Sequence, residues 1–302
     1  MTLTMPALLT LLLLVAGDVQ ASEVASKTEA NSGAAAEVFP GEAAVDMIAA
    51  AVATTAAPGA EDTENAADEA GEPITARDLI AGALDLVRGR TSYAQMSMTV
   101  HRPTWERTSS LVAWTRGRED ALIRFTAPAK DAGNATLKQG EKMWTFTPKL
   151  NRTIRLPYSL MSQSWAGSDF SYNDLSRTDK LLRYYDLNIV STDQQDGHTV
   201  YTINAVPFDD APVVWGKEEW VLRADYVLIS QTFFDQSMEP LKRMSSLEIG
   251  QLDDRVMATR MRMVKLDEPE NYTELVYEDA DFNVELEDKT FTLFSLQSGG
   301  KR

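Results

Sequence analysis

From Thr91 to Tyr277 the apolar residues recur at every second position, and that period constrains the fold more than any other feature of the chain. Ala94, Met96, Met98 and Val100 alternate with Tyr93, Gln95, Ser97 and Thr99, and Ala121, Ile123 and Phe125 alternate with Asp120, Leu122 and Arg124. Successive side chains of a strand point to opposite faces, so this pattern predicts strands rather than helices. Asp196-Gly197, just before Thr199, Tyr201, Ile203 and Ala205, is a hairpin signal. Similar runs lie at 107–116, 134–139, 141–147, 187–193, 217–223, 227–234, 241–249, 256–265 and 272–278. Short polar turns and the lack of a second helical array predict a mainly β fold: one meandering antiparallel sheet. About eleven strands in one domain should curl rather than stay flat.

Two segments break the period. Thr75 is a suitable N-cap for a helix over 76–90, whose stripe is Leu79, Ile80, Ala83, Leu84 and Val87, with Gly89 near its end. Residues 158–185 carry Trp165, Phe170, Tyr172, Leu175, Leu181, Leu182, Tyr184 and Tyr185 without strand alternation. An aromatic insert of this kind, lying between strands, is a candidate lid over a concave face.

Charge and aromatics divide the chain. The net charge is −16, but residues 22–75 contribute eleven acids and one base. Of 25 aromatic residues, only Phe39 precedes residue 76. Residues 22–75 cannot bury enough apolar surface to offset ordering entropy and read as a flexible acidic, Ala-rich linker. The apolar run at 7–16 is too short to span a bilayer, and Val19 and Ala21 precede Ser22 as in a cleaved signal peptide. The expected organisation is a signal peptide at 1–21, the linker at 22–75, one binding domain at 76–297 and a disordered tail at 298–302. With no cysteine, the chain has no disulfide, thiol nucleophile or cysteine-linked lipid anchor. Its acidic balance argues against nucleic acid.

Catalytic signatures are absent. His101 and His198 fall in predicted strands outside any metal-ligand spacing, and no nucleophile elbow, phosphate loop or zinc-protease motif occurs. Asp169–Asp174 resembles the start of a calcium loop, but Asp174 and Lys180 stand where glycine and glutamate are needed. Ser168 or Asp169 is instead expected to cap a short helix. No cofactor, metal or catalytic residue is predicted. A carboxylate pair of the glycosidase kind stays open, since sequence distance does not set carboxylate separation.

What the sequence offers is apolar surface on a curled sheet. Met257, Met261 and Met263 share one strand face, Met96 and Met98 lie on another strand, and Trp144 and Phe146 share a third. Methionine is flexible and polarisable and suits surfaces that adapt to varied apolar ligands, though such residues also build ordinary cores. Lys142-Met143-Trp144-Thr145-Phe146-Thr147-Pro148, then Arg152, Arg155 and Pro157, then Ser164-Trp165-Ala166-Gly167-Ser168-Asp169-Phe170-Ser171-Tyr172-Asn173-Asp174-Leu175, resembles the signature of the LolA-like outer-membrane lipoprotein-sorting protein family. The resemblance spans roughly 76–297. It implies an incomplete antiparallel β-barrel of the LolA/LolB kind, covered by one or two helices, with an apolar cavity for acyl chains. It also implies a periplasmic protein that ferries or senses lipid or lipidated protein, in transient contact with membranes.

On this reading the cavity and lid residues are Met96, Met98, Trp144, Phe146, Trp165, Phe170, Tyr172, Leu175, Met257, Met261 and Met263. Arg152, Arg155, Asp169 and Asp174 stand at the mouth, where the arginines could pair with lipid headgroups or with the lid carboxylates. The expected function is a monomeric, non-enzymatic periplasmic carrier of lipid or lipoprotein acyl chains. The alternatives are an accessory or sensor subunit of an inner-membrane RND-type transporter, and an envelope hydrolase.

Overall fold

The computed structural model describes residues 73–176 and 180–298. The expected signal peptide, nearly all of the expected linker and the last residues of the expected tail lie outside the described residues.

The domain is a thirteen-stranded antiparallel sheet: β1 (Thr91–Arg102), β2 (Trp105–Arg116), β3 (Asp120–Ala127), β4 (Ala135–Gln139), β5 (Lys142–Thr147), β6 (Arg152–Arg155), β7 (Tyr185–Gln195), β8 (His198–Pro207), β9 (Lys217–Arg223), β10 (Leu228–Phe234), β11 (Pro240–Leu252), β12 (Arg255–Lys265) and β13 (Tyr272–Phe282). Its order, β6-β5-β4-β3-β2-β1-β13-β12-β11-β10-β9-β8-β7, is two meanders joined at β1–β13. The sheet does not close: β6 and β7 are separate edges. This is the expected incomplete barrel: one antiparallel sheet left open between its two edges. The strand that escaped sequence reading is β6, four residues with no apolar alternation. The Asp196-Gly197 hairpin forms as expected, with both residues at positive φ.

Helix α1 (Ala76–Leu86) begins where expected, with Thr75 and Asp78 forming a reciprocal capping box. It ends four residues early. Arg255 reaches from β12 and donates to the Asp85 and Leu86 carbonyls, and Gly89 turns the chain at φ +60°. Leu79 and Ile80 are fully buried against Ile203, Trp220 and Leu222, each burial contributing about 1.5–3 kcal/mol.

Directly opposed residues share a sheet face, so the pairing register sorts the side chains. One row runs Phe125, Leu111, Met96; neighbouring rows run Met98, Leu275, Met261 and Val100, Thr273, Met263, Met244. This inner face also carries Gln231, Trp220 and Ile203, beneath α1. The opposite row runs Tyr93, Trp114, Leu122, Leu137, Trp144. Val284, Leu286, Phe291 and Leu296 cover it, from the segment containing the short C-terminal helix Leu293–Ser298. Nearer β13 the outer face is polar, and Glu274 there accepts from both Arg260 and Arg262.

Partial burial disfavours the Glu274 charge, but hydrogen bonds and attraction from Arg262 and Arg260 outweigh it and hold the carboxyl below its ordinary value. A lowered folded value contributes stability that is full above the ordinary carboxylate range and lost as pH falls through the lowered value. Glu274→Gln should therefore lower the urea midpoint at pH 7 and do so much less at pH 3. An equal gap at both pH values would show that the charge carries none of the effect.

Candidate functional site

The segment between edge strands β6 and β7 crosses the inner face. It contains a tight hairpin in which Ser164 bridges Ser171, and the Trp165 N–H donates to the Phe170 carbonyl at 2.7 Å. Ala166 and Gly167 at the tip have φ of +52° and +71°. Trp165 and Phe170 thereby point at the sheet and are buried with Met98, Val100, Leu111, Phe125, Phe233 and Met263. Short α2 (Tyr172–Ser176) follows. Its cap is Ser171, whose hydroxyl accepts from the Asp174 N–H at 3.2 Å while Asp174 accepts from the Ser171 N–H at 2.7 Å. This corrects the expectation of a cap at Ser168 or Asp169.

Polar pairs pin the segment. Asp169, with a side chain 2% exposed, accepts two hydrogen bonds from Arg102 at 3.1 and 3.0 Å and one from Thr273 at 2.7 Å. Asp174 pairs with the buried Lys242 of β11, and Arg107 of β2 donates to the Ala166 carbonyl. The mouth carboxylates thus belong to Arg102 and Lys242. Arg152 and Arg155 lie on the exposed edge strand β6, and among the described residues no ion pair joins them to Asp169 or Asp174. The expected lid pairing is corrected accordingly.

Beneath the segment lies a mostly apolar cavity of about 220 Å³. Its floor owes its depth to small paired side chains: Ser92 opposite Thr115, Ala94 opposite Ala113, and Thr115 opposite Ala121. Met96, Leu111, Ile123 and Leu275 form the walls, and Trp165 and Leu175 the roof. Tyr277 also lines it, and burial pushes its hydroxyl up against the pull of Arg88. Trp165 separates this cavity from a second, of about 380 Å³, that opens past Arg107, Phe125, Thr136 and Tyr172. The indole N–H of Trp165 donates to Thr136 Oγ1 at 3.1 Å, and burial raises the Tyr172 hydroxyl.

The candidate residues separate on this geometry. Met96, Trp165 and Leu175 line the first cavity, with Asp174; Phe146, Trp165 and Tyr172 line the second. Met98, Phe170 and Met263 are packed around them. Met257 is buried with Ala94, Ala280 and Phe282, near the end of α1, and Met261 is half-buried opposite Leu275. Trp144 faces away, beneath the C-terminal segment. Sequence reading missed the small floor residues and the pins Arg102, Arg107, Lys242 and Thr273. The signal for the floor is the run of Ala, Ser and Thr at alternate positions of β1–β3, visible only once the register is known.

A family model described as an uncharacterized protein matches residues 117–298. No curated protein matches the sequence. Among solved structures, a DUF1329 family protein from Desulfovibrio piger is 21% identical, with a TM-score of 0.67 over 74% of this chain and 98% of its own. A putative outer membrane lipoprotein-sorting protein domain from Vibrio parahaemolyticus is 24% identical, with a TM-score of 0.63 over 72% and 97%. A LolA superfamily protein from Nitrosomonas europaea is 20% identical, with a TM-score of 0.62 over 73% and 98%.

Proposed function

We propose, because the chain belongs to a LolA-like family of uncharacterized proteins, that it carries a lipid, or the acyl chains of a lipidated protein, in the cavity beneath Trp165. The observation that supports this is the mostly apolar recess floored by Ala94, Ala113 and Ala121 and roofed by Trp165 and Leu175. A buried methylene is worth about 0.8 kcal/mol, so a fourteen-carbon chain represents on the order of 10 kcal/mol before ordering costs. Carriage on this scale needs no covalent chemistry. The site of action is the periplasm, reached through the signal peptide; among the described residues no helix is long and apolar enough to cross a membrane.

The cavity of about 220 Å³ lies below the roughly 300 Å³ at which small-molecule pockets begin. A full chain is accommodated when Trp165 leaves Thr136 and the two recesses join. Native mass spectrometry of protein taken from its own cells should find a bound amphiphile, and a fluorescent fatty acid should be taken up by the emptied protein. Failure of both would overturn the carrier reading. Co-purification with a membrane exporter, with an empty cavity, would favour an accessory subunit.

A further inference from the structure

The recess on the far side of Trp165 differs from its apolar neighbour. Arg107 and Asp131, the latter from the β3–β4 turn, line it together with Asn134, Thr145 and Phe146. Arg107 is fixed by its bond to the Ala166 carbonyl, yet its Nε is buried with no hydrogen-bond partner. Asp131 Oδ2 is also buried and unpartnered. Among the described residues, no ion pair joins the two.

Native proteins satisfy nearly all buried polar atoms, and leaving a charged one unmade is costly. Opposite charges held apart in one recess fit a ligand that brings an acceptor to one and an N–H donor to the other. The apolar cavity behind Trp165 supplies room for a tail on the same molecule. We propose that this recess is a headgroup site for a zwitterionic phospholipid with a primary ammonium, its phosphate at Arg107 and its ammonium at Asp131. The proposal rests on the carrier reading above and adds the class of headgroup.

Tryptophan fluorescence of the full chain, titrated with monomeric dihexanoyl lipids, tests it. Phosphatidylethanolamine should bind about tenfold more tightly than phosphatidylcholine, which has the phosphate and positive charge but no N–H, and than phosphatidylglycerol, which has no cation. Asp131→Asn should erase the preference for ethanolamine and leave the other two within about twofold. Soluble phosphoethanolamine should compete only weakly, since it lacks the tail; equal competition would make the site one for the free headgroup and overturn the lipid assignment. Equal binding of all three lipids by the unaltered protein, or equal loss of all three in a folded Asp131→Asn, would overturn the headgroup site and leave the carrier reading standing. No binding of any lipid, together with no uptake of fatty acid, would remove both.

Discussion

Asp169→Ala is expected to destabilise the domain by about 3 kcal/mol, read as a shift in the urea denaturation midpoint. Removing one partner of a buried ion pair typically costs about 3–5 kcal/mol, because the other charge stays behind without compensation. The lower figure applies here because Arg102 is 19% exposed and keeps the His101 and Tyr272 carbonyls as acceptors. The Asp169 carboxylate also accepts from Thr273, so one substitution removes the side-chain ties to both β1 and β13 and leaves only the Asp169 N–H bond to Thr273 Oγ1. Hydrogen exchange should locate the loosening at 161–176 before the sheet itself opens. A loss below about 1 kcal/mol, the range of exposed pairs, would show that apolar packing of Trp165 and Phe170 alone keeps the segment in place.

Ala113→Leu should separate binding from stability. Ala113 lies on the cavity floor between Ala94 and Ile123, so the longer side chain enters open space. Cavity filling commonly adds about 0.5–2 kcal/mol of stability. The same atoms occupy the space of about three methylenes of a bound chain, worth about 2 kcal/mol, so amphiphile uptake should fall tenfold or more. A protein that is at least as stable and no longer takes up fatty acid is the expected result. Undiminished uptake by the more stable variant would place the ligand elsewhere. Met261→Glu, at a position half-buried opposite Leu275, is the weaker test because Met261 does not wall the cavity.

How far the sequence reaches depends on the range of the forces involved. Period-two alternation and turn chemistry act over a few residues, and they disclosed the sheet, the Asp196-Gly197 hairpin and the Thr75 cap. The apolar stripe runs on past the C-terminal end of α1 because Arg255, distant in sequence, supplies its cap. Strand β6 leaves no pattern in the sequence because Arg152–Arg155 buries almost nothing and is held by β5 alone. The sheet has two apolar faces between β1 and β5, and alternation marks both without saying which one faces a cavity. Trp144 lies with Phe146 in the outer cluster that Phe291 and Leu296 cover, away from Met96, Trp165 and Leu175. Lys242 and Asp174 are 68 positions apart and unremarkable singly. Only the fold shows that the charges of the crossing segment are answered from the sheet.

The pairing of β1 with β13 has a consequence for the order of assembly. Val100 meets Thr273, so the central seam joins residues roughly 170 apart. Each meander can zip locally, but the two halves share no ladder until Tyr272–Phe282 is available. A growing chain that stops short of that strand has two loose fans of strands and no place for the crossing segment to rest its Asp169 against Thr273. Seams of such long range form late and slowly. The cavity is consequently among the last features to exist, and an incomplete chain offers a ligand nowhere to lodge.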